Sequence, residues 1–255
     1  MSSSPLEAPP QGAETAPLHA ELAAARAELQ DFLYAVSHDL RAPLRHIRAY
    51  AEVIREDFPD LPAELLGHLD VMTRAAAQLQ AQIDGLTALS RVAGRSLKPQ
   101  AVDWVQSLRQ ALVATPWAAH GSVQGLSDLP PDANATQVWA DPDVLAEVWA
   151  ELIDNARKAT AATPTPTLVV QSQWVDGLCR VSLHDNGMGW SGDQAQALFK
   201  PFGKLHPPQQ FPGLGLGLVR ARKLLARLGG TLALRAQAGQ GCVATVGLPA
   251  CPAGV

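Results

Sequence analysis

The stretch Ser37-His38-Asp39-Leu40-Arg41-Ala42-Pro43-Leu44 lies within a run of apolar residues that are spaced alternately four and three positions apart. This spacing is typical of the a and d positions of a heptad, at which helices pack together and supercoil with a left hand. A second run has the same alternation. The apolar positions are Leu29, Leu33, Val36, Leu40, Pro43, Ile47, Tyr50 and Ile54 in the first run, and Leu65, Leu69, Met72, Ala76, Leu79, Ile83 and Leu86 in the second. Each run is therefore predicted to be a long helix with one apolar seam.

The two runs are separated by Phe58-Pro59-Asp60-Leu61-Pro62, in which the prolines end one helix and begin the next. The helical pattern extends from about Pro17 to about Arg91, so it predicts a helical hairpin. A lone hairpin with one seam per helix cannot enclose a core, whereas two hairpins can pair into a four-helix bundle. We therefore expect a homodimer. The alternative is that the hairpin packs on the rest of its own chain.

Short β-type runs alternate with helical stretches after Gly94, which predicts a two-layer α/β sandwich. The predicted strands and helices are Thr167–Val175, Leu178–His184, Thr231–Ala236 and Cys242–Leu248, and Asp103–Val113, Asp143–Ala161 and Leu216–Leu228. The predicted fold class is therefore α plus α/β. The expected divisions are a flexible segment (1–16), a helical domain (17–96), an α/β domain (97–250) and a tail (251–255).

Composition excludes several classes of protein. With 20 Lys and Arg against 24 Asp and Glu, the chain lacks the basic excess of a general nucleic-acid binder. Its three cysteines are far apart and form no Cys-x-x-Cys pair, so neither a disulfide framework nor a structural zinc site is expected. No stretch approaches the roughly 20 apolar residues of a membrane span, and the first residues do not resemble a secretory signal. We expect a cytoplasmic protein without a membrane segment.

His38 is the first candidate for chemistry. With Leu33 and Leu40 taken as a positions, His38 falls at f and faces away from the seam, and Asp39 lies beside it at g. A carboxylate that accepts a hydrogen bond from Nδ1–H leaves Nε2 as a free nucleophile. Pro43 removes one backbone hydrogen bond and should bend the helix nearby. An exposed His-Asp pair is by itself more often a surface feature, so the interpretation depends on the motifs that follow.

The second motif is Glu151-Leu152-Ile153-Asp154-Asn155-Ala156-Arg157-Lys158, in a predicted helix whose apolar residues face inward. Glu151 and Asn155 are one turn apart and share a face. An amide oxygen there can ligate Mg²⁺, and Lys158 can reach a phosphate. The alternative is an ordinary solvated helix face.

Two glycine motifs complete the set. In Asp185-Asn186-Gly187-Met188-Gly189, glycines allow a close backbone approach and Asp185 can accept a hydrogen bond from an exocyclic amine. Gly213-Leu214-Gly215-Leu216-Gly217-Leu218 leads into a helix, whose N-terminal amides can hold phosphates. No Gly-Lys-Ser/Thr follows, so this is not a Walker A loop. Each motif alone is weak, since the first also suits a plain β-turn.

The order of the motifs is far more specific than any one of them. His-Asp-x-x-x-Pro on a hairpin, the Asn155 helix, the Asp185 loop, Leu198-Phe199-Lys200-Pro201-Phe202 and the Gly213 loop resemble, in sequence, the H, N, G1, F and G2 boxes of sensor histidine kinases. The resemblance covers roughly residues 25–250, and it is strongest to the kinase modules of the phytochrome-type branch. It implies a dimerisation and histidine-phosphotransfer domain, followed by an ATP-binding domain of the gyrase, Hsp90, kinase and MutL type.

The resemblance also implies roles for individual residues. His38 would attack the γ-phosphate of ATP, with Asp39 as its orienting base. Asn155 would hold Mg²⁺, Lys158 would reach the phosphates and Asp185 would recognise the adenine amine. The remaining residues would shape the adenine pocket (Gly187, Gly189), anchor the lid (Phe199, Phe202) and close over the phosphates (Gly213, Gly215, Gly217).

Three positions depart from the family pattern. Glu151 stands where an asparagine is usual, so it can add a metal ligand or act as a base that activates water. Ala42 stands where a threonine or asparagine often positions water, so we expect weak or absent phosphatase activity. The segment between Phe202 and Gly213 is short, which predicts a compact lid.

The resemblance implies partners as well. The phosphoryl group would pass to an aspartate on the receiver domain of a separate response regulator. Residues 1–16 cannot house an input domain, so we expect a separate sensor or input protein, unless the chain is an excised module. Two rival interpretations stay open: a catalytically silent nucleotide-binding dimer scaffold, and an ATPase or Ser/Thr kinase of the same superfamily that uses Glu151 as its base.

Overall fold

Two long helices make up the first part of the chain in the computed structural model, which describes residues 15–129 and 136–252. Helix α1 spans Thr15–Asp57 and helix α2 spans Ala63–Gly94. The predicted helical hairpin is confirmed. Of the segment predicted to be flexible, residues 1–14 lie outside the described residues, and the last two belong to α1.

The face of α1 that contacts α2 lies beside the predicted seam. Ser37, Leu44 and Ala51 recur every seven residues and are 6%, 7% and 2% exposed. The hydroxyl groups of Ser37 and Thr87 are hydrogen-bonded across the hairpin (2.9 Å). These α1 residues occupy the heptad position that follows d, so α2 covers one flank of the apolar stripe.

Much of the predicted seam itself is exposed in this single hairpin. In α1, Leu29 is 58% exposed and Tyr50 is 68% exposed. A single hairpin buries only the positions that face its second helix, so the other flank of the stripe has nothing to pack against. The exposed seam residues are Leu29, Val36, Leu40, Ile47, Tyr50 and Ile54 in α1, and Leu65, Met72 and Leu79 in α2.

The chain divides into two compact units between Arg91 and Val92, and the second unit is an α/β sandwich. Its elements are β1 (Gln100–Asp103), α3 (Trp104–Ala114), a 3₁₀ turn (Pro116–Ala119), β2 (Ser122–Gln124), β3 (Gln137–Ala140), α4 (Pro142–Ala159), β4 (Thr167–Val175), β5 (Leu178–Asp185), α5 (Ala195–Leu198), α6 (Gly217–Arg227), β6 (Thr231–Gln237) and β7 (Gly241–Pro249). The main sheet has the order β2-β4-β5-β7-β6, in which only the β2–β4 pair is parallel, and β1 pairs with β3 antiparallel. The predicted fold class is confirmed.

One face of the sheet packs against the helices because its strands alternate. In β5, Cys179, Val181 and Leu183 are buried, while the residues between them are partly exposed. The buried face meets apolar residues of α3, α4 and α6 in one core cluster. The N-termini of α3 and α4 are capped by Asp103 and Asp141, whose carboxylates accept backbone N–H groups of the first turn.

The longer predicted elements are found within a few residues of their expected bounds, and β4 has the predicted bounds. The elements that the sequence did not predict have three or four residues each, and they are β1, β2, β3, α5 and the 3₁₀ turn. Within the described residues, no helix is both long enough and apolar enough to cross a membrane.

Candidate functional site

His38 lies on the exposed surface of α1, as its f position predicts. The side chains of His38 and Asp39 are 73% and 83% exposed, and His38 Nδ1 is 3.3 Å from Asp39 Oδ1. When the ring proton is on Nδ1, it donates to this carboxylate and Nε2 keeps its lone pair. The pair therefore presents a nucleophilic nitrogen to solvent, on the helix that also contains Pro43.

The polar face of α4 forms the centre of the candidate site in the second unit. Asn155 is half-buried, and its amide makes no hydrogen bond to another residue that the structure describes. Lys158 forms an ion pair with Asp154, one turn earlier, and Arg157 donates to the same carboxylate (2.8 Å). Asp154 was not singled out from the sequence, although its i, i+4 spacing to Lys158 indicates the pair. The Asn155 amide oxygen, free of hydrogen bonds within the described residues, thus lies within one helix turn of the Lys158 ammonium, whose charge Asp154 partly neutralises.

Glu151 lies on the same face as Asn155 and is held by charge rather than by hydrogen bonds. Its Oε1 is 3.7 Å from Nη1 of Arg220, on α6. Burial raises the pKa of the Glu151 carboxyl, Arg220 and Lys158 oppose this rise, and the carboxylates of Asp154 and Glu147 add to it. Arg220 was not singled out from the sequence, because its contacts join residues far apart in the chain.

Asp185, at the end of β5, has a buried carboxylate, one oxygen of which already accepts hydrogen bonds. It is 8% exposed, and its Oδ1 accepts hydrogen bonds from the backbone N–H groups of Gly187 (2.9 Å) and Cys242 (3.2 Å). Burial raises the pKa of Asp185 to about 6, against the effect of these hydrogen bonds. Within the described residues, no hydrogen bond joins Oδ2 to another residue, so this oxygen can accept one from a ligand.

The glycines of this loop are required by close backbone contacts. A Cβ on Gly187 would lie 2.5 Å from the carbonyl oxygen of Ala159, at the end of α4. Gly189 has φ +55°, and a Cβ there would lie 2.0 Å from the carbonyl oxygen of Gln237. The N–H of Met188 donates to Ala159 O (3.0 Å). The loop is therefore fastened to both α4 and the turn between β6 and β7.

The segment from Phe199 to α6 lies over the same region. Phe199 is 6% exposed, and the guanidinium of Arg222 stacks on its ring at 4.4 Å from the centroid. Phe202 has φ +62°, and its N–H donates to Gly215 O (3.1 Å). His206 Nε2 donates to Gly189 O (2.9 Å), which ties this segment to the Asp185 loop. His206 was not singled out from the sequence, and its surroundings there gave no signal for this contact.

The glycines before and at the start of α6 approach the charged residues of α4. Gly213 has φ +131°, and a Cβ there would lie 3.2 Å from Lys158 Nζ. A Cβ on Gly217 would lie 2.3 Å from Glu151 Oε2. The second unit thus brings the α4 face, the Asp185 loop and the glycine-rich segment together, while His38 and Asp39 belong to the first unit.

Two family models match the chain. The His Kinase A (phospho-acceptor) domain matches residues 28–94, and the histidine kinase-, DNA gyrase B- and HSP90-like ATPase matches residues 140–252. The first match lies almost entirely in the first unit and includes His38, and the second lies within the second unit and includes Glu151, Asn155 and Asp185.

Similar proteins agree with these matches. The chain is 31% identical to the sensor histidine kinase ZraS of Klebsiella oxytoca, over 84% of this chain and 44% of that protein. It is 26% identical to cyanobacterial phytochrome A of Nostoc sp., over 91% of this chain and 30% of that protein. The chain therefore spans less than half of the length of these relatives.

A solved structure shows the same fold. The crystal structure of full-length ShkA in complex with AMPPNP matches with a TM-score of 0.57 and 22% identity. The match covers 88% of this chain and 47% of that one.

Proposed function

Because the chain belongs to the histidine kinases through its HisKA and HATPase_c domains, we propose that it phosphorylates its own His38 from ATP and passes the phosphoryl group to an aspartate of a separate response regulator. The observation on which this proposal depends is the exposed His38, whose Nδ1 lies against Asp39 and whose Nε2 is free. No other described histidine combines this exposure with a carboxylate partner at Nδ1.

The proposed step is an in-line displacement at the γ-phosphorus. The Nε2 lone pair forms the new P–N bond, the bond from the γ-phosphorus to the bridging oxygen breaks, and ADP leaves with that electron pair. The ring becomes cationic in this step, and Asp39 stabilises it through Nδ1–H before the proton is lost to solvent. Asp39 therefore both fixes the tautomer and offsets the developing charge.

The second unit suits an adenine nucleotide. Asp185 Oδ2 is available to accept a hydrogen bond from the adenine amine, and Gly187 and Gly189 leave the neighbouring backbone without side chains. Lys158 and the amides that precede α6 provide positive charge for the phosphates. Phe199 and Phe202 fix the two ends of the turn that begins the lid, which supports their proposed anchoring role.

The α4 face also suits a magnesium ion. The amide oxygen of Asn155 and the carboxylate of Glu151 are hard oxygen ligands, and neither is committed to a hydrogen bond within the described residues. When bound, Mg²⁺ neutralises charge on the phosphates during transfer. Asn155 would hold the ion, and Glu151 is a further possible ligand.

The exposed seam of α1 supports a homodimer. Leu40, Ile47 and Tyr50 are 45%, 41% and 68% exposed and follow the a and d spacing of a four-helix bundle. A second copy of the hairpin would bury this stripe and surround it with four helices. A cytoplasmic location and a separate sensor protein stay predictions from the sequence, as does weak phosphatase activity owing to Ala42.

One observation favours a second candidate function. Burial raises the pKa of the Glu151 carboxyl, which makes its carboxylate a stronger base, and a base here that takes a proton from water would support ATP hydrolysis without a phosphohistidine. The sequence alternative of an ATPase or Ser/Thr kinase depends on the same residue.

One experiment separates the candidates. The protein is incubated with γ-labelled ATP and Mg²⁺ beside a His38→Gln variant, and both bound label and released phosphate are measured. Acid-labile label that is absent from the variant supports the histidine kinase. Phosphate release without bound label supports the ATPase, and nucleotide binding without either supports the silent scaffold. Transfer is then tested by adding a receiver domain to the labelled protein.

A further inference from the structure

Four charged side chains of alternating sign form a chain of ion pairs in the second unit. Glu147 and Glu151 lie one turn apart on α4, Arg220 lies on α6, and Arg95 lies between α2 and β1. Glu147 accepts from Arg95 with Oε1 and from Arg220 with Oε2. The other amino group of Arg220, Nη1, is 3.7 Å from Glu151 Oε1. Arg220 thus stands between the two glutamates.

The two glutamates need such a cation. Carboxylates at i and i+4 on one helix face repel each other. The side chains of Glu147, Glu151 and Arg220 are 29%, 28% and 35% exposed, so solvent screens their charges less than it would on an open surface. A guanidinium has amino groups fixed in one plane, and these can reach two carboxylates at once.

The second oxygen of Glu151 is confined by α6 as well. A Cβ on Gly217 would lie 2.3 Å from Glu151 Oε2, so this oxygen lies directly over the first residue of the helix. Arg220 is one turn further along α6. The carboxylate is therefore held at Oε1 by Arg220, while Oε2 lies at the glycine-rich end of the helix.

We propose that Arg220 is a positioning residue, which aims the Glu151 carboxylate at the nucleotide site, and that Arg95 controls this role through their shared partner Glu147. The inference rests on the proposed function, in which Glu151 faces the nucleotide. Arg95 occupies one oxygen of Glu147, which leaves Nη1 of Arg220 for Glu151. Without Arg95, both oxygens of Glu147 are free for a bidentate pair with Arg220, and Nη1 moves away from Glu151.

The segment that bears Arg95 is fastened to the same two helices. Arg227, on α6, donates to the carbonyl oxygens of Val92 and Arg95 (2.5 Å each). The N–H of Lys98 donates to the carboxylate of Asp141 (2.8 Å), which also caps α4. A displacement of residues 92–98 would therefore move Arg95. Through the ion pairs of Glu147 with Arg95 and with Arg220, this would change the position of Arg220 beside Glu151.

The first test separates catalysis from binding. Relative to the wild-type chain, Arg220→Gln should lower the rate of labelling from γ-labelled ATP at least tenfold, with the dissociation constant of ADP unchanged within twofold. Arg220→Lys keeps the charge and should recover most of the rate, and Arg95→Gln should give a smaller loss in the same direction. Lys223→Gln, which removes an exposed cation from the same helix, is the matched control. An Arg220→Gln rate within twofold of the wild type would overturn the inference.

The second test is a double-variant cycle with Glu151→Gln. If Arg220 acts through Glu151, Arg220→Gln should lower the labelling rate no further in the Glu151→Gln background. An equal loss in both backgrounds would show that Arg220 acts on the nucleotide directly and would overturn the inference.

The same cycle can be followed without activity. All six tryptophans belong to the second unit, so their fluorescence reports its unfolding in urea. The unfolding midpoint should change more on replacing Arg220 when Glu151 is present than when it is glutamine, whereas additive changes contradict the inference. If the wild-type chain does not label His38, the proposed function fails, and this unfolding cycle still decides for or against the contact between Arg220 and Glu151.

Discussion

The two units of the chain hold their candidate residues in opposite ways. In the first, His38 and Asp39 lie on an exposed helix face, and much of the apolar seam beside them is uncovered. In the second, Asp185 is buried, and a Cβ added to a glycine of its loop would lie closer to backbone atoms than van der Waals contact allows. The first unit therefore leaves apolar surface unpacked within one chain, whereas the second depends on its own backbone geometry.

This difference predicts different sensitivities to substitution. A small side chain added to a glycine of the Asp185 loop should destabilise the second unit, because the backbone atoms that it meets cannot move as easily as the end of a flexible side chain. In the hairpin, small changes on exposed faces should be tolerated, and only changes that prevent assembly should matter.

The largest expected effect comes from replacing a glycine whose added Cβ would collide with the backbone. Gly189→Ala forces a Cβ to within 2.0 Å of Gln237 O at φ +55°, so we expect a loss of at least about 3 kcal/mol in the unfolding free energy of the second unit and no measurable nucleotide binding. Tryptophan fluorescence in urea and calorimetric titration with ADP measure the two effects.

Gly67→Ala is the matched control in the hairpin. Gly67 lies in α2, and nothing lies within 4 Å of an added Cβ. Alanine has the higher helix propensity, so this change should stabilise α2 by about 1 kcal/mol, which circular dichroism measures on heating. Equal losses at both glycines would contradict the contrast between the units.

The sequence predicted the elements of the hairpin better than their packing. The three-and-four spacing defines two helices, but it does not determine which flank of the stripe α2 covers. Ser37 is polar and therefore outside the predicted seam, yet it is buried because its hydroxyl meets that of Thr87 across the hairpin. Such a contact depends on two residues 50 positions apart, and no local pattern indicates it.

In the second unit, the motif order predicted where the candidate site lies but not what supports it. Asp185 and Gly189 were singled out because both belong to one short motif, and the structure shows that a Cβ at Gly189 would collide with the carbonyl oxygen of Gln237. Arg220 and His206 were missed, because each acts through a residue that folding brings near. The short strands β1 and β3 were missed because four residues do not establish a period.

The next largest effect should appear in the assembly of the hairpin. Ile47→Glu places a carboxylate at an a position of the exposed α1 stripe, so two copies would bury like charges. We expect the dimer dissociation constant to rise at least about 100-fold, which corresponds to about 3 kcal/mol. Sedimentation velocity over a range of concentrations measures it.

Val113→Glu provides the control from the other unit. Val113 is an apolar residue of α3 that is 81% exposed, without a heptad pattern around it. This variant should assemble as the wild-type chain does. If the Ile47→Glu variant stays dimeric, the exposed stripe of α1 is not the interface.

The last substitution, at Asp185, should weaken nucleotide binding while it stabilises the second unit. Asp185→Asn keeps an oxygen that accepts from Gly187 and Cys242 but places an amide donor where Oδ2 was. When adenine is bound, this amide N–H faces the adenine amine, and both groups are donors. The ADP dissociation constant should therefore rise about 100-fold. The same variant no longer buries a charge. Because burial raises the pKa of Asp185 from 3.8 to about 6, we expect the second unit to gain about 3 kcal/mol of unfolding free energy at pH 8.

The pH dependence of this gain has a definite sign. A carboxyl group whose pKa is raised on folding contributes stability below its unfolded pKa and loses it as the pH rises through the folded value. The difference between Asp185→Asn and the wild-type chain should therefore grow from near pH 4, reach its full size just above pH 6 and stay constant beyond it. Urea unfolding followed by tryptophan fluorescence at several pH values measures the difference. A gain that is the same at pH 4 and pH 8 would show that burial of the Asp185 charge is not its cause.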